Sequence, residues 1–194
     1  MMIILTDADG CLVDWVSIFK EWMAGMGKFP VKGLSSTSYE IDEMYGIGRE
    51  AADDYVKFFN MSAEIEYLPP LRDSIKYIEK MHKEHGVVFH CITALGPNKK
   101  SHVLRERNLK NLFGETTFRE IDCTASGEEK FPILEKYRYT GTVWIEDNVK
   151  RAIEGYELGL DTYLMNHIYN RGDDIPSGIT RVYNWKELYE NLFG

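Results

Sequence analysis

The sequence predicts an α/β fold: a parallel sheet flanked by helices, with a small helical segment inserted after the first strand. Two observations predict the sheet. Short apolar runs at residues 2–5, 87–92 and 141–145 each stop abruptly at polar residues, as buried parallel strands do. Segments with apolar residues at helical spacing separate these runs, and strands alternating with helices build a parallel sheet. A third observation predicts the insertion, because residues 15–67 carry helical patterns and no strand pattern.

The elements follow in order. Met2, Ile3, Ile4 and Leu5 form the first apolar run, which ends in Asp7-Ala8-Asp9-Gly10. Residues 15–26 place Trp15, Ile18, Phe19, Trp22 and Met23 on one helical stripe, closed by Gly25, Gly27 and Pro30. A polar, Ser-rich stretch occupies 33–38, and 39–45 and 49–59 read as two short helices, the second with Ala52, Tyr55, Val56 and Phe59 on one face. Pro69 and Pro70 break the pattern, and it returns at 71–82 with Ile75, Ile78 and Met81. The second strand, 87–92, ends in Thr93, and the polar segment 97–100 opens a helix over 101–109. A strand at 118–122, a short helix at 131–137 and the strand ending in Glu146-Asp147-Asn148 come next. Residues 151–158 are helical up to Gly159, a C-cap. A fifth strand at 161–165 and a closing helix at 185–192 complete the chain. This divides it into a core domain, 1–14 and 68–194, and a helical cap, 15–67.

With 194 residues, the chain suits one core domain with a small subdomain. Its 44% hydrophobic and 28% charged residues are those of an ordinary globule. No apolar run approaches the ~20 residues of a membrane span, and the N-terminus lacks the pattern of a secretory signal, so no membrane partner is expected. The three cysteines, Cys11, Cys91 and Cys123, have no C-x-x-C spacing and fit a reducing cytoplasm. A net charge of −8 argues against a binder of nucleic acid polymers. A small phosphate ester remains a suitable ligand where a metal and local cations offset the acids.

The chemistry-bearing residues gather at strand ends. Asp7 and Asp9 lie at the carboxyl end of the first strand, where open α/β sheets form their crevices. Two acids so close need a cation or a shared proton. Thr93 ends the second strand, Lys130 precedes the strand at 141–145, and Glu146 with Asp147 ends it. This order, with D-x-D-G at its head, resembles the four motifs of the haloacid dehalogenase-like (HAD) phosphatases over nearly the whole chain.

The resemblance implies a Rossmann-like, HAD-like fold and a set of roles. Asp7 would be the nucleophile that forms an aspartyl-phosphate, and Asp9 the general acid and then base. Thr93 would hold a phosphoryl oxygen. Lys130 would neutralise the phosphate, with Lys99 and Lys136 as alternative lysines. Mg²⁺ would be held by the Asp7 side chain, the Asp9 carbonyl and Asp147, with Glu146 helping directly or through water. His82 and His85 have no partner at metal spacing and read as surface residues.

The small cap, the Leu68-Pro69-Pro70-Leu71 segment, Thr93-Ala94, Tyr169-Asn170 and the run Arg181-Val182-Tyr183-Asn184-Trp185 resemble the 5'(3')-deoxyribonucleotidase branch. That implies a nucleoside monophosphate substrate, with Thr93, Ala94 and Lys130 at the phosphate and the cap aromatics Phe19 and Trp22 at the base. The stripe Trp15, Phe19, Trp22 is also what a helix core looks like, so both readings stand at this stage. The alternatives are a phosphatase of another small ester, such as a sugar phosphate, and a non-catalytic binding protein on the same fold. The second is disfavoured because Asp7, Asp9 and the metal acids are all present.

Overall fold

The computed structural model describes residues 2–33 and 37–194. The Ser-rich stretch read at 33–38 therefore lies partly outside the described residues. The sheet has six strands, all parallel: β1 (Ile3–Thr6), β2 (Val88–Ala94), β3 (Phe118–Thr124), β4 (Val143–Glu146), β5 (Asp161–Met165) and β6 (Thr180–Val182). Their order is β3-β2-β1-β4-β5-β6. Strand β1 lies between β2 and β4, with Ile4 opposite Phe89 on one side and Val143 on the other. The chain winds outward one way from β1 and the other way from β4. Asp7 thus emerges at the point where strand order reverses, the usual position of a ligand crevice.

Both faces of the sheet are covered. Ile4, Phe89 and Cys91 belong to the larger core, with α1 (Trp15–Gly25), α4 (Ser74–His85) and α8 (Trp185–Phe193) against it. Leu5, Ile92 and Trp144 face a second core completed by Leu134, Leu158 and Leu160. The neighbours Ile4 and Leu5 go to opposite cores, which is the two-residue alternation of a strand. It explains why the strands read as continuous apolar runs.

The remaining helices are α2 (Ile41–Tyr45), α3 (Arg49–Asn60), α5 (Lys99–Phe113), α6 (Phe131–Leu134) and α7 (Val149–Glu157). Helix α1 starts where the Asp14 side chain accepts the Ser17 N–H at 3.1 Å, a standard N-cap. Helix α4 begins at Ser74, three residues later than its apolar period predicts, because the Leu71 N–H is taken by Leu12 O and Arg72 has φ +41°. Helix α5 begins earlier and ends later than predicted, its start fixed by the Asn98 side chain accepting from Lys100 N at 2.9 Å. Strand β6 has no counterpart in the sequence reading.

The insertion between β1 and α4 packs around one aromatic cluster. Trp15 and Phe19 stack at 4.6 Å, Phe59 meets both edge-on, and Trp22 lies against Phe59 and Tyr55. This cluster is continuous with the larger core. The other end of the chain is tied to the same region: Trp185 Nε1 donates to Cys11 O at 2.8 Å, and the Asp73 carboxylate accepts the N–H groups of Trp185 and Lys186 at 3.1 and 3.0 Å. Asp73 therefore caps α8 from a distant part of the sequence. Asp73→Ala should lower unfolding free energy by about 0.5–2 kcal/mol, the scale of a lost helix cap, read as a shifted urea midpoint at unchanged slope.

Candidate active site

The loop leaving β1 is wound tightly on itself. Ala8 O accepts from Leu12 N at 2.8 Å and Val13 N at 3.0 Å, and Gly10 N donates to Val13 O at 2.9 Å. Gly10 has φ +74°, and a Cβ there would run into the Asp147 carboxylate. Glycine is required on both counts. The turn lets the β1 loop and the β4 end touch, which brings the acids together.

Lys130 is the centre of the site. It is 3% exposed, and its Nζ lies 2.9 Å from both Asp7 Oδ1 and Glu146 Oε2. The turn that carries it is anchored by Arg151, whose guanidinium reaches Glu128 at 2.6 Å and Glu154 at 2.6 Å. Burial pulls the Lys130 ammonium toward a lower pKa, but the two carboxylates outweigh that and hold it well above its ordinary value. The alternative lysines, Lys99 and Lys136, are exposed.

The acids differ in what holds them. Glu146 spends one oxygen on Lys130 and the other on the N–H groups of Asp147 and Asn148, at 3.0 and 3.1 Å. Asp147 Oδ2 accepts a hydrogen bond from the Tyr169 hydroxyl, and its backbone carbonyl accepts from Asn170 at 2.7 Å. His167 stacks on Tyr169 at 4.9 Å and donates through Nε2 to Gly10 O at 2.7 Å. Arg181, from β6, donates to Asn170 at 3.0 Å and fixes this loop from behind. Burial pushes Asp7 and Glu146 up to about 7 and Asp147 up to about 6, against the partial opposition of Lys130.

Oxygen atoms of Asp7, Glu146 and Asp147 converge within 4.8 Å of one another. Three buried carboxylates face one buried lysine, an excess of hard oxygen donors that suits a small divalent cation. Both Glu146 oxygens are engaged, by Lys130 and by the backbone, whereas Lys130 and Tyr169 each take one oxygen of Asp7 and of Asp147, so these two acids could hold it.

Asp7, Asp9, Ala94, Lys130, Glu146 and Asp147 line one cavity of about 480 Å³. Thr93, the residue before Ala94 at the end of β2, is fully buried and does not itself line the cavity, and its Oγ1 makes no hydrogen bond among the described residues. The expected contribution of Phe19 and Trp22 is corrected. Phe19 is fully buried in the aromatic cluster, Trp22 packs on Phe59 and Tyr55, and neither lines the cavity. The period of α1 turns Phe19 and Met23 inward; of α1 only Trp15 and Val16 reach the cavity wall, where Tyr39, Ile41, Met44, Ala52 and Val56 join them from the rest of the insertion. His82 bonds Val87 O and Thr116, and His85 bonds Tyr189, as surface residues do. The sequence reading missed Arg105, whose guanidinium is fully buried beside Asp9 at 2.7 Å. Nothing in its charged surroundings, Arg105-Glu106-Arg107, marks it as interior.

No protein-family profile matches the chain. An uncharacterised 32.4 kDa protein from the Gp30–rIII intergenic region of Enterobacteria phage T4 is 26% identical over 198 residues, covering 98% of this chain and 69% of that protein. Among solved structures, CbbY from Rhodobacter sphaeroides in complex with phosphate superposes with a TM-score of 0.64 at 16% identity, covering 97% of this chain and 96% of that one. The haloacid dehalogenase-like family protein SP0104 from Streptococcus pneumoniae gives 0.63 at 14%, over 99% and 98%. D,D-heptose 1,7-bisphosphate phosphatase from B. bronchiseptica, complexed with magnesium and phosphate, gives 0.60 at 13%, over 99% and 98%. The chain has the Rossmann-like α/β fold of the haloacid dehalogenase-like hydrolases.

Removing the central cation should be costly. Lys130→Met leaves the buried Asp7 and Glu146 without their shared cation, and breaking such a pair costs about 3–5 kcal/mol. Urea unfolding in the presence of a chelator should show that loss. A variant as stable as the parent would mean that the lysine is not what compensates these acids.

Proposed function

We propose that the protein is a Mg²⁺-dependent phosphomonoester hydrolase working through an aspartyl-phosphate on Asp7. The observation that carries this is the placement of Asp7 on the cavity wall, fixed by Lys130, with Asp9 two residues on and Asp147 across from it. In the first step an Asp7 oxygen bonds to phosphorus as the bond to the leaving oxygen breaks, and Asp9 gives that oxygen its proton. In the second step Asp9 takes a proton from water, the water oxygen bonds to phosphorus, and the Asp7–phosphorus bond breaks to release phosphate. Lys130 stays beside Asp7 through both steps and meets the negative charge that collects on the phosphoryl oxygens. Thr93 is assigned to one of those oxygens on the strength of its strand-end position. Mg²⁺ held by Asp7, Asp147 and the Asp9 carbonyl would offset the acids and the phosphate, with Glu146 acting from behind through Lys130.

Residues 15–67 are read as a cap over this crevice, and the substrate as a small phosphate ester that enters beneath it. The cavity volume falls in the range of about 300–1,000 Å³ typical of small-molecule sites. Two substrate classes fit. A nucleoside monophosphate is supported by the half-exposed Tyr39 ring on the cavity wall, a surface on which a base can stack. A sugar phosphate is supported by CbbY, which has also been solved with xylulose-(1,5)-bisphosphate and superposes at a TM-score of 0.61. No helix among the described residues is long and apolar enough to cross a membrane. The three unpaired cysteines are consistent with a cytoplasmic location.

Phosphate release from a panel of nucleotides, sugar phosphates and p-nitrophenyl phosphate, with Mg²⁺ or EDTA, tests the proposal. Activity should appear only with Mg²⁺, and full turnover in EDTA would remove the metal from the scheme. Asp7→Asn should abolish turnover. Asp9→Asn should slow alkyl esters by about 10²–10⁴-fold and p-nitrophenyl phosphate much less, since a good leaving group needs little protonation. Tyr39→Ala should raise KM for deoxynucleoside monophosphates by the equivalent of about 1–3 kcal/mol, the usual worth of a base stack. An unchanged KM would favour the sugar phosphate.

Metal and pH should act together on stability. The raised carboxyl groups bind protons more tightly folded than unfolded, so without metal their contribution is complete below the ordinary carboxylate range. It is lost as pH rises toward about 7. Mg²⁺ requires the ionised forms, so its thermal stabilisation should be larger at pH 7.5 than at pH 5. A shift in melting temperature that is equal at both values would contradict this.

A further inference from the structure

Arg105 is the least expected residue in the interior. It lies on α5, is fully buried, and its Nε, Nη1 and Nη2 make no hydrogen bond among the described residues. Its one charged contact is Nη1 to Asp9 Oδ1 at 2.7 Å, close in distance but outside hydrogen-bond alignment. One turn earlier on the same helix, Ser101 Oγ is also buried and unbonded. A guanidinium buried with so few bonds is a poor stabiliser, and an apolar side chain of similar size is often as good or better at such a place. Its position must therefore be explained by what it does to Asp9.

The two oxygens of Asp9 are not equivalent. Oδ1 is buried against Arg105, while the side chain as a whole is 24% exposed and lines the cavity. The exposure therefore belongs to the rest of the side chain, whose one other polar atom is Oδ2. Arginine offers only donors and never accepts a hydrogen bond. A proton on Oδ1 would point at N–H groups that have no lone pair to receive it, so the proton of a protonated Asp9 belongs on Oδ2, facing the cavity.

We infer that Arg105 is a positioning residue for proton transfer: it pins Oδ1 in the wall and leaves Oδ2 as the only oxygen of Asp9 that exchanges a proton with substrate. This rests on the phosphatase reading of Asp9. It assigns the α5 guanidinium a part in the reaction from behind the carboxylate, without contact to the ester. In the first step the proton leaves Oδ2 for the departing ester oxygen. In the second the same Oδ2 receives the proton of the attacking water, and Oδ1 stays against Arg105 throughout.

Arg105→Met and Arg105→Lys test it, with ethyl phosphate and p-nitrophenyl phosphate as paired substrates. Arg105→Met should cut kcat at least 100-fold on ethyl phosphate and less than tenfold on p-nitrophenyl phosphate, because only the alkyl ester depends on a well-aimed proton. Arg105→Lys should recover part of the alkyl activity. In an Asp9→Asn background Arg105→Met should add no further loss on either substrate. Equal losses on both substrates, or a full additional loss in the Asp9→Asn background, would overturn the inference and leave Arg105 a structural residue. A stability cycle reads the pairing without turnover: in urea unfolding the effects of Asp9→Asn and Arg105→Met should be strongly non-additive, and additive effects would refute the pairing. A parent protein inactive on every ester, with that coupling intact, would refute the phosphatase reading and, with it, the proton-transfer role, leaving only the pair.

Discussion

The structure depends on one buried ammonium. Lys130 sits between Asp7 of β1 and Glu146 of β4 at equal distances of 2.9 Å, and it is the contact through which the central strands share a charge balance. Two ionised carboxylates out of water cost several kcal/mol each unless a partner is close and well placed. The lysine supplies that partner for both. Its own turn is held by Arg151 between Glu128 and Glu154, so the position of the ammonium is set by α7, which itself follows β4. The arrangement closes on itself: the strand that carries Glu146 leads into the helix that holds the lysine in reach of Glu146.

One lysine does not balance three acids. Asp147 is the remainder, and the chain meets it with neutral donors: the Tyr169 hydroxyl on its carboxylate and Asn170 on its carbonyl. Those donors come from the loop between β5 and β6, which Arg181 and His167 hold in place. Hydrogen bonds to a carboxylate favour its charged form, but burial prevails here and the group is pushed up to about 6. The site therefore resolves its excess charge in one of two ways, by taking up protons or by taking up a cation, and the second keeps Asp7 ionised.

Much of this was legible in the sequence, for a physical reason. Carboxylates directly after an apolar strand are expensive unless they are used, so Asp7, Asp9, Glu146 and Asp147 stood out, and the structure brings them to one cavity. Lys130 was harder, since exposed Lys99 and Lys136 look the same in one dimension, and only the fold decides which ammonium reaches Asp7. Phe19 and Trp22 failed for a related reason: helical period shows that a stripe is apolar but not whether it meets other aromatics or a cavity. Strand β6 escaped because Thr180-Arg181-Val182 is three residues with no apolar run. Arg105 escaped because an arginine among charges reads as solvated, and nothing in one dimension shows that it faces Asp9 and the sheet cysteines Cys91 and Cys123.

The position of β1 has a consequence for how the molecule acquires its shape. Ile4 pairs with Phe89 and with Val143, so the strand of this sheet that comes first in chain order lies at its centre, and its second neighbour follows far later in the sequence. Parallel pairings across such separations form slowly, because loop closure precedes any reward. Until Val143 and the segment after it are available, β1 lacks its second neighbour, Lys130 lacks Glu146 and the Arg151 anchor of its turn, and the apolar edge of β1 stays open to other chains. The charge density that serves the mature crevice also protects the nascent chain, since Asp7, Asp9 and Asp14 follow the apolar run within a few residues and discourage its edge-to-edge association before the partners arrive.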